Sequence, residues 1–356
     1  MNLPIMPYIP PMLARLVEDI PRGEYVYEPK WDGFRSIVFR DGDEVEIGSR
    51  NLRPMTRYFP ELVAAIRLGL PGRCVIDGEI VVPDPSLGRL DFEALQQRIH
   101  PAESRIKLLA RRTPAHYVAF DLLALGDRDL TAEPFRVRRR MLEEVLGSAR
   151  AQSQIHLTPI TYDPEVAERW FNEFESAGFD GIISKPIEAS YQPDKRVMFK
   201  IKHVRTADCV VAGYRPYKTD PQAVGSLLLG LYDDNGELVN VGVVAAFPIE
   251  QRRALFKEFQ PLVTTLERHP WNRVGEEATT RTPRSAEFSR WSAGKDLAFV
   301  PLRPERVVEV RYDHMEGNRF RHTAQFVRWR PDRVPRSCTF SQVAEPARFD
   351  LSDVLR

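Results

Sequence analysis

Two runs in the N-terminal half of the chain are apolar enough to be buried strands, yet each carries charge in its middle. Cys74-Val75-Ile76-Asp77-Gly78-Glu79-Ile80-Val81-Val82 holds two carboxylates, and Tyr117-Val118-Ala119-Phe120-Asp121-Leu122-Leu123 holds a third. An unpaired ion in an apolar interior is expensive, so a fold built on such strands must bring cations to them or open a pocket beside them. Polar residues embedded among apolar ones recur along the chain: Lys30, Asp32 and Arg35; Ser49-Arg50-Asn51; Asp180-Gly181-Ile182-Ile183-Ser184-Lys185; and Lys200-Ile201-Lys202. One pocket would satisfy them together, and convergent cations and carboxylates suit a polyphosphate and a metal ion. Singly, each has a plainer reading. Glu79 could end a strand beside Gly78, Phe120 could be core, and Lys200 and Lys202 could share one exposed face of a strand.

Lys30 stands between the apolar stretches Tyr25-Val26-Tyr27 and Ser36-Ile37-Val38-Phe39. The dipeptide Asp32-Gly33 between them predicts a tight hairpin that would hold Lys30 at a strand end. A nucleophile on rigid backbone is one reading. A solvated lysine beside a turn is the other, and this run alone favours it.

The texture changes at His203. Before it, strands alternate with helices: 92–99 and 135–146 have helical spacing of apolar residues with basic residues opposite. Asp163 suits an N-cap for a helix with Pro164 at its first position, an apolar face of Val166, Trp170, Phe171 and Phe174, and Gly178 as terminator. After His203 come short β-rich runs at 208–214, 226–232, 239–247, 307–312 and 325–329. Asp234-Asn235-Gly236 predicts a hairpin turn, and 251–263 predicts an amphipathic helix. Five strands and a helix fit a small OB-type barrel, though a sandwich reads alike. The polar stretch 264–298 reads as a long insertion.

A chain of 356 residues has room for two cores. No apolar run approaches the roughly 18 residues of a membrane helix, and the proline-rich start around Tyr8 lacks the pattern of a secretory signal. No membrane association is expected, and the chain is expected to begin near Met1. Cys74, Cys209 and Cys338 lie far apart with no C-x-x-C pair, against a zinc module or disulfide framework and in keeping with a reducing cytoplasm. Net charge is +1, from 51 Lys and Arg against 50 Asp and Glu, so local patches rather than the sum would steer a polyanion. Arg319, Arg321, His322, Arg328, Arg330, Arg333 and Arg336, interleaved with Phe320, Phe326 and Trp329, make one such candidate strip of phosphate contacts and stacking rings. A solvated basic edge strand reads equally well.

Taken in order, these motifs resemble the nucleotidyltransferase motifs of ATP-dependent DNA ligases, over nearly the whole chain. The likeness is to small bacterial ligases with only the two-domain catalytic core, akin to the mycobacterial ligase C group. Lys30-Trp31-Asp32-Gly33-Phe34-Arg35 matches K-x-D-G-x-R, and Lys200-Ile201-Lys202 matches the later paired-lysine motif. Arg330-Pro331-Asp332-Arg333 resembles R-x-D-K with arginine for the last lysine, a planar fork in place of an ammonium. Asp180 opens its motif where glutamate is usual, one methylene shorter, which favours water-mediated metal contact.

The resemblance implies an α+β fold: a nucleotidyltransferase (adenylation) domain of antiparallel sheets with flanking helices over 1–203, then an OB-fold β-barrel over 204–356. It implies three transfers. Neutral Lys30 attacks the α-phosphate of ATP, AMP passes from lysine to the 5′-phosphate of a nick, and the 3′-hydroxyl expels AMP. A lysine of ordinary pKa is neutral only about once in 2,500 at pH 7. In the family pattern Arg35, Lys200 and Lys202 favour its deprotonation and neutralise phosphate. The Glu28 backbone and the Phe120 ring recognise adenine, while Arg35, Arg50 and Lys185 approach ribose or phosphate. Glu79 and Asp180 hold Mg²⁺, for which Mn²⁺ can substitute. Arg330, Asp332 and Arg333 orient pyrophosphate on a second domain that moves about a hinge near 202–208. ATP rather than NAD is expected, because only twenty-nine residues precede Lys30 and there is no zinc-type cysteine cluster. The expected partner is nicked double-stranded DNA, met by a monomer at the nucleoid, with repair or end-joining proteins beside it. An RNA ligase or a capping-type nucleotidyltransferase is the nearest alternative, although capping enzymes usually show threonine where Trp31 stands. A non-catalytic OB-fold nucleic-acid-binding protein is the more distant one.

Overall fold

The computed structural model describes residues 1–86, 88–147, 154–272, 298–343 and 351. It divides into two compact units, Met1–His203 and Val204–Glu345, with Leu351 counted in the first, where it lies in an apolar cluster with Trp31 and Phe179. The expected second domain ran on to residue 356. Among the described residues no helix is long and apolar enough to cross a membrane, and all three cysteines are buried thiols.

In chain order the principal elements of the first unit are β1 (Leu13–Leu16), β2 (Tyr25–Pro29), β3 (Phe34–Asp41), β4 (Glu44–Ser49), α1 (Pro60–Gly69), β5 (Arg73–Val81), α2 (Phe92–Gln97), α3 (Glu103–Arg112), β6 (His116–Leu125), α4 (Phe135–Gly147), β7 (Ile155–Leu157), α5 (Pro164–Glu173), β8 (Ile182–Pro186) and β9 (Arg196–Ile201). One sheet runs β1-β9-β8-β2 and the other β7-β6-β5-β3-β4. Both are antiparallel except for one parallel pair at an edge, β1 with β9 and β7 with β6. Asp163 caps α5 as expected, accepting the Glu165 N–H at 2.8 Å.

The larger sheet uses its two faces differently. Ile76, Ile80 and Leu122 point to a core shared with Leu62 and Ile66 of α1 and Leu142 of α4. Val75 and Leu123 point the other way, into a core shared with Met198 of β9 and with Tyr191. Side chains alternate along a strand, so Asp77, Glu79 and Asp121 fall on this second face. The charges that interrupt the apolar runs therefore all look into the space between the two sheets.

The expected hairpin at Asp32-Gly33 does not form. β2 pairs with β8 and β3 with β4 and β5, so the chain crosses from one sheet to the other between Pro29 and Phe34. Gly33 is required for proximity rather than for a turn: a Cβ there would lie 2.2 Å from the Ile80 carbonyl oxygen and 2.8 Å from Glu79 Cγ. The lysine thus sits at a crossing between sheets.

The second unit comprises β10 (Arg205–Tyr217), β11 (Asp220–Tyr232), β12 (Leu238–Val244), α6 (Ile249–Phe259), β13 (Val300–Tyr312) and β14 (Gln325–Trp329), in sheet order β12-β11-β10-β13-β14. These are the five strands and one helix expected of an OB-type domain, and Gly236 turns the β11–β12 hairpin with φ of +75°. Among the described residues the sheet does not close into a barrel. β14 is only five residues long, and the two edges meet at a single bridge, where Ala324 N–H donates to Val243 at 2.9 Å. Part of the expected insertion lies outside the described residues. Its first portion is packed rather than looping away: His269 and Trp271 are buried against Phe299, and the Trp271 indole N–H donates to the Leu238 carbonyl at 2.9 Å.

Candidate active site

Lys30 is fixed by its backbone before its side chain does anything. Its N–H donates to the Gly181 carbonyl at 2.8 Å, and its carbonyl accepts the Asp180 N–H at 3.0 Å. Gly181 has φ of +127°, and a Cβ there would lie 1.9 Å from the Ile201 carbonyl oxygen, so only glycine lets these segments meet. Three motifs far apart in sequence converge here: Lys30 Nζ lies 2.7 Å from Asp180 Oδ2, and Lys202 Nζ lies 2.7 Å from the same oxygen. The Lys30 side chain keeps 20% of its exposure.

Electrostatics oppose the expectation of a lysine primed to lose its proton. Burial disfavours the charge, but Asp180, then Asp32 and Glu79, outweigh it and hold the Lys30 pKa above its ordinary value. Partial burial works against the Asp180 charge too, yet Lys30 and Lys202 hold its carboxyl well below the usual carboxylate range. The expected cations are largely committed elsewhere, Lys202 to Asp180 and Arg35 to Asp77. Lys200 has no such carboxylate partner among the described residues. Burial, then Lys202, Lys30 and Arg50, depress its pKa, which places all four cations in one neighbourhood.

Glu79, opposite Arg35 in the β3–β5 register, is another carboxylate of this corner. Burial pushes its pKa up to about 7, against the pull of Arg35 and Lys30. A desolvated carboxylate with that pKa is suited to accept a cation, so the residues fit a divalent metal. Among the described residues no three His, Cys, Asp or Glu side chains converge as ligands. Water or phosphate oxygens would complete the shell, as is common for Mg²⁺.

Phe120 is buried and forms a shelf beside this corner. The Arg35 guanidinium lies 4.3 Å from its ring centroid and Lys185 Nζ 4.7 Å. Arg35 is held by a fork to Asp77, with both bonds at 2.6 Å. Lys185, which the motif pattern sends toward ribose or phosphate, is instead tied to Glu28 at 2.8 Å, with both side chains nearly fully buried. Burial is the largest influence on both, raising Glu28 and lowering Lys185. Asp77 faces Asp121 across β5 and β6, a like-charge pairing that would be destabilising alone. Each carboxylate has its own arginine, Arg35 for Asp77 and Arg138 for Asp121, the latter at 2.8 and 2.9 Å. Sequence reading placed the basic residues of α4 opposite its apolar face, yet Arg138 and Arg139 are buried. The carboxylate-bearing strands were the signal that such partners had to exist.

Arg330, Asp332 and Arg333 lie in the second unit. Arg330 bridges Asp208, at 3.0 and 2.9 Å, and Asp332, at 2.9 Å, while Arg333 Nε lies 3.2 Å from Asp208. The basic strip is less a stacking surface than its sequence suggests. Phe320 is buried against Tyr312, and Phe326 and Trp329 pack on the core. Arg328 pairs with Glu309 and Arg336 lies over Tyr232. Phe326 and Trp329 are three residues apart, and a register shift opposite Glu309 and Val310 lets both turn inward from this edge strand.

A lysine cornered by carboxylates and cations beside an aromatic shelf, on a two-unit α+β chain ending in an OB-type sheet, fits the nucleotidyltransferase class. Comparison with known proteins narrows the class. Residues 11–202 match the ATP dependent DNA ligase domain and 220–333 the ATP dependent DNA ligase C terminal region. DNA ligase C of Mycobacterium tuberculosis is 65% identical over 357 residues, covering 100% of this chain and 99% of that one. DNA ligase C2 of Mycolicibacterium smegmatis is 64% identical and covers 97% of each. A solved Lig E DNA ligase, at 17% identity and a TM-score of 0.54, shares the fold over 90% of this chain and 99% of its own. The chain belongs to the ATP-dependent DNA ligase family.

Proposed function

We propose that this chain is an ATP-dependent DNA ligase that seals nicks in duplex DNA by carrying AMP on Lys30. The observation that supports this most is the corner at Lys30 Nζ. The amine is reached by solvent, pinned through its backbone to the segment bearing its carboxylate, flanked by Lys200 and Lys202, and set near the Arg35–Phe120 shelf.

In the first step the Nζ lone pair forms a bond to the α-phosphorus of ATP, and the bond to the pyrophosphate oxygen breaks with its electron pair. Lys30 must first lose a proton that Asp180 encourages it to keep. That proton faces Asp180 Oδ2, but so acidic a carboxylate cannot retain it, and it passes to solvent at the 20%-exposed side chain. Glu79, with Asp180 through its second oxygen or a water, would hold a divalent cation that neutralises phosphate charge and offsets the field keeping Lys30 charged. Lys200 meets the phosphate directly, and Lys202 can exchange Asp180 for it. Phe120 stacks the base. Because Lys185 engages the Glu28 carboxylate, Glu28 is left to read the base through its backbone.

In the second step a 5′-phosphate oxygen of the nick attacks the lysyl-AMP phosphorus and releases the amine. In the third the 3′-hydroxyl attacks the activated 5′-phosphate, loses its proton and expels AMP. Arg330, Asp332 and Arg333 are proposed to orient pyrophosphate, and a break-repair setting is proposed from the family likeness alone. The test is incubation with α-phosphate-labelled ATP. Lys30→Ala is expected to abolish the AMP adduct while its unfolding transition stays close to that of the parent. An adduct that persists moves the nucleophile elsewhere. Labelling by GTP and not ATP would favour a capping enzyme, and sealing restricted to nicks with a 3′-strand ribose would favour an RNA ligase.

A further inference from the structure

We infer that Tyr191 is a positioning residue for nucleotide binding, holding the Asp77 carboxylate that aims the Arg35 guanidinium at the Phe120 ring. The inference rests on the reading of Lys30 and its corner as an ATP site.

Asp77 is fully buried and receives three hydrogen bonds. Arg35 Nε donates to Oδ1 and its terminal nitrogen to Oδ2, both at 2.6 Å, and the Tyr191 hydroxyl donates to Oδ2 at 2.7 Å. The same hydroxyl accepts the Met12 N–H at 3.1 Å from the segment entering β1. The Tyr191 proton and one lone pair are thus committed, and at 4% exposure the side chain is buried away from a substrate. Whatever it contributes to ligand binding must pass through Asp77.

The geometry gives it something to contribute. A guanidinium is a rigid plane, and two parallel bonds to one carboxylate set that plane. The carboxylate can still rock about its own bond to Cβ, and the third donor, anchored on the main chain at Met12, stops it. The plane so fixed places the guanidinium 4.3 Å from the Phe120 centroid. A second tie leads to the same shelf. Arg138 donates to the Ala189 carbonyl at 3.0 Å, two residues before Tyr191, and forks onto Asp121, which follows Phe120 in β6. The loop that carries Tyr191 is thereby fastened to the strand that carries the shelf.

The experiment measures Lys30 adenylation against ATP concentration in Tyr191→Phe, which keeps the ring and loses the hydroxyl. The half-saturating ATP concentration is expected to rise about tenfold, the cost of a lost hydrogen bond to a charged group, with the maximal rate within about twofold, the signature of lost binding rather than lost chemistry. Tyr117→Phe is the structural control. Its hydroxyl is buried in the same sheet and donates to the Ile76 carbonyl at 2.8 Å, but it makes no hydrogen bond to Asp77 or Arg35. Should Tyr117→Phe raise half-saturation equally, the effect is loosening of the sheet and the inference fails. It also fails if Tyr191→Phe lowers the maximal rate alone, or changes neither parameter. In an Arg35→Lys background, which has no fork to aim, Tyr191→Phe is expected to add less than about twofold; a full additive effect overturns the route through Arg35. If Tyr191→Phe does not fold, Asp77→Asn gives the same reading, with half-saturation rising and the maximal rate held. If the unsubstituted protein forms no AMP adduct at all, the ATP reading itself falls, which the Tyr191 comparison cannot mimic.

Discussion

Two lysines of the first unit each face a carboxylate from a distant motif at almost the same distance, and they behave oppositely. Lys30 lies 2.7 Å from Asp180 with 20% of its side chain exposed, and Lys185 lies 2.8 Å from Glu28 with 3% exposed. Lys30 is held above its ordinary pKa and Lys185 is pulled below it. The difference is burial against charge. Asp180 keeps some solvent and is surrounded by cations, so its field prevails, whereas the Glu28–Lys185 pair is desolvated on both sides. Equal distance therefore does not mean equal role. One pair is a partly solvated contact at the proposed nucleophile, and the other is a desolvated strut beneath the Phe120 ring.

The largest expected effect breaks the strut. Lys185→Met keeps the length of the side chain and leaves the Glu28 carboxylate buried without its partner. Removing one member of a buried pair costs about 3–5 kcal/mol, read as a shift of the urea midpoint at pH 7.5. The Glu28 pKa is already raised by burial and rises further without Lys185, so the loss shrinks as pH falls and the carboxylate takes up a proton. Lys30→Met, by contrast, removes one of two lysines from a partly solvated acceptor and is expected to cost less than half as much stability while ending AMP transfer. Equal losses for the two variants would erase the distinction between contact and strut.

How far the sequence reveals this distinction is instructive. Charge inside apolar strands was enough to require convergent partners, and the motifs at Lys30, Asp180 and Lys202 do converge. What pattern could not give was the sorting of partners. Lys185 belongs to the same motif as Asp180, yet alternation along β8 turns it toward Glu28 and the Phe135 ring. Arg138 reads as a surface position of an amphipathic helix until the strand it covers proves to carry Asp121. The Asp32-Gly33 hairpin failed for a related reason: the same dipeptide serves a turn or a tight crossing, and only the Ile80 carbonyl beside Gly33 distinguishes them. The five-stranded second unit was legible because strand periodicity is local. Barrel closure depends on how far two edges travel before meeting, which local pattern does not encode.

Glu79 offers the next test, with the opposite sign to a salt bridge. Its folded pKa of about 7 lies above the ordinary carboxylate value, so folding takes up a proton between those limits. Stability linked to Glu79 is present at low pH and is lost as pH rises through about 7. Glu79→Gln is therefore expected to stabilise the ligand-free protein by about 2–4 kcal/mol at pH 8, with the gain fading as pH falls toward 4, in urea titrations at each pH. Adenylation should fall sharply in the same variant if this carboxylate holds the cation. A variant that is both more stable and fully active would separate Glu79 from the corner altogether.

Asp180→Asn probes the exchangeable contact itself and carries a smaller change in stability than Lys185→Met or Glu79→Gln, about 1–3 kcal/mol at neutral pH, because both lysines it serves retain some solvent. The Asp180 pKa is depressed in the folded state, so its stabilisation is present above the unfolded carboxylate value and is lost as pH falls through the folded one. The gap between parent and variant should accordingly narrow below about pH 4. Its effect on chemistry runs the other way. The asparagine amide removes the largest counter-charge to Lys30, so the pKa of Lys30 falls and the acid limb of adenylation moves to lower pH. If Asp180 also serves the cation, the concentration of Mg²⁺ needed for half-maximal adenylation rises in the same variant, whereas a residue that only tethers lysines would shift the pH profile and leave the metal requirement in place.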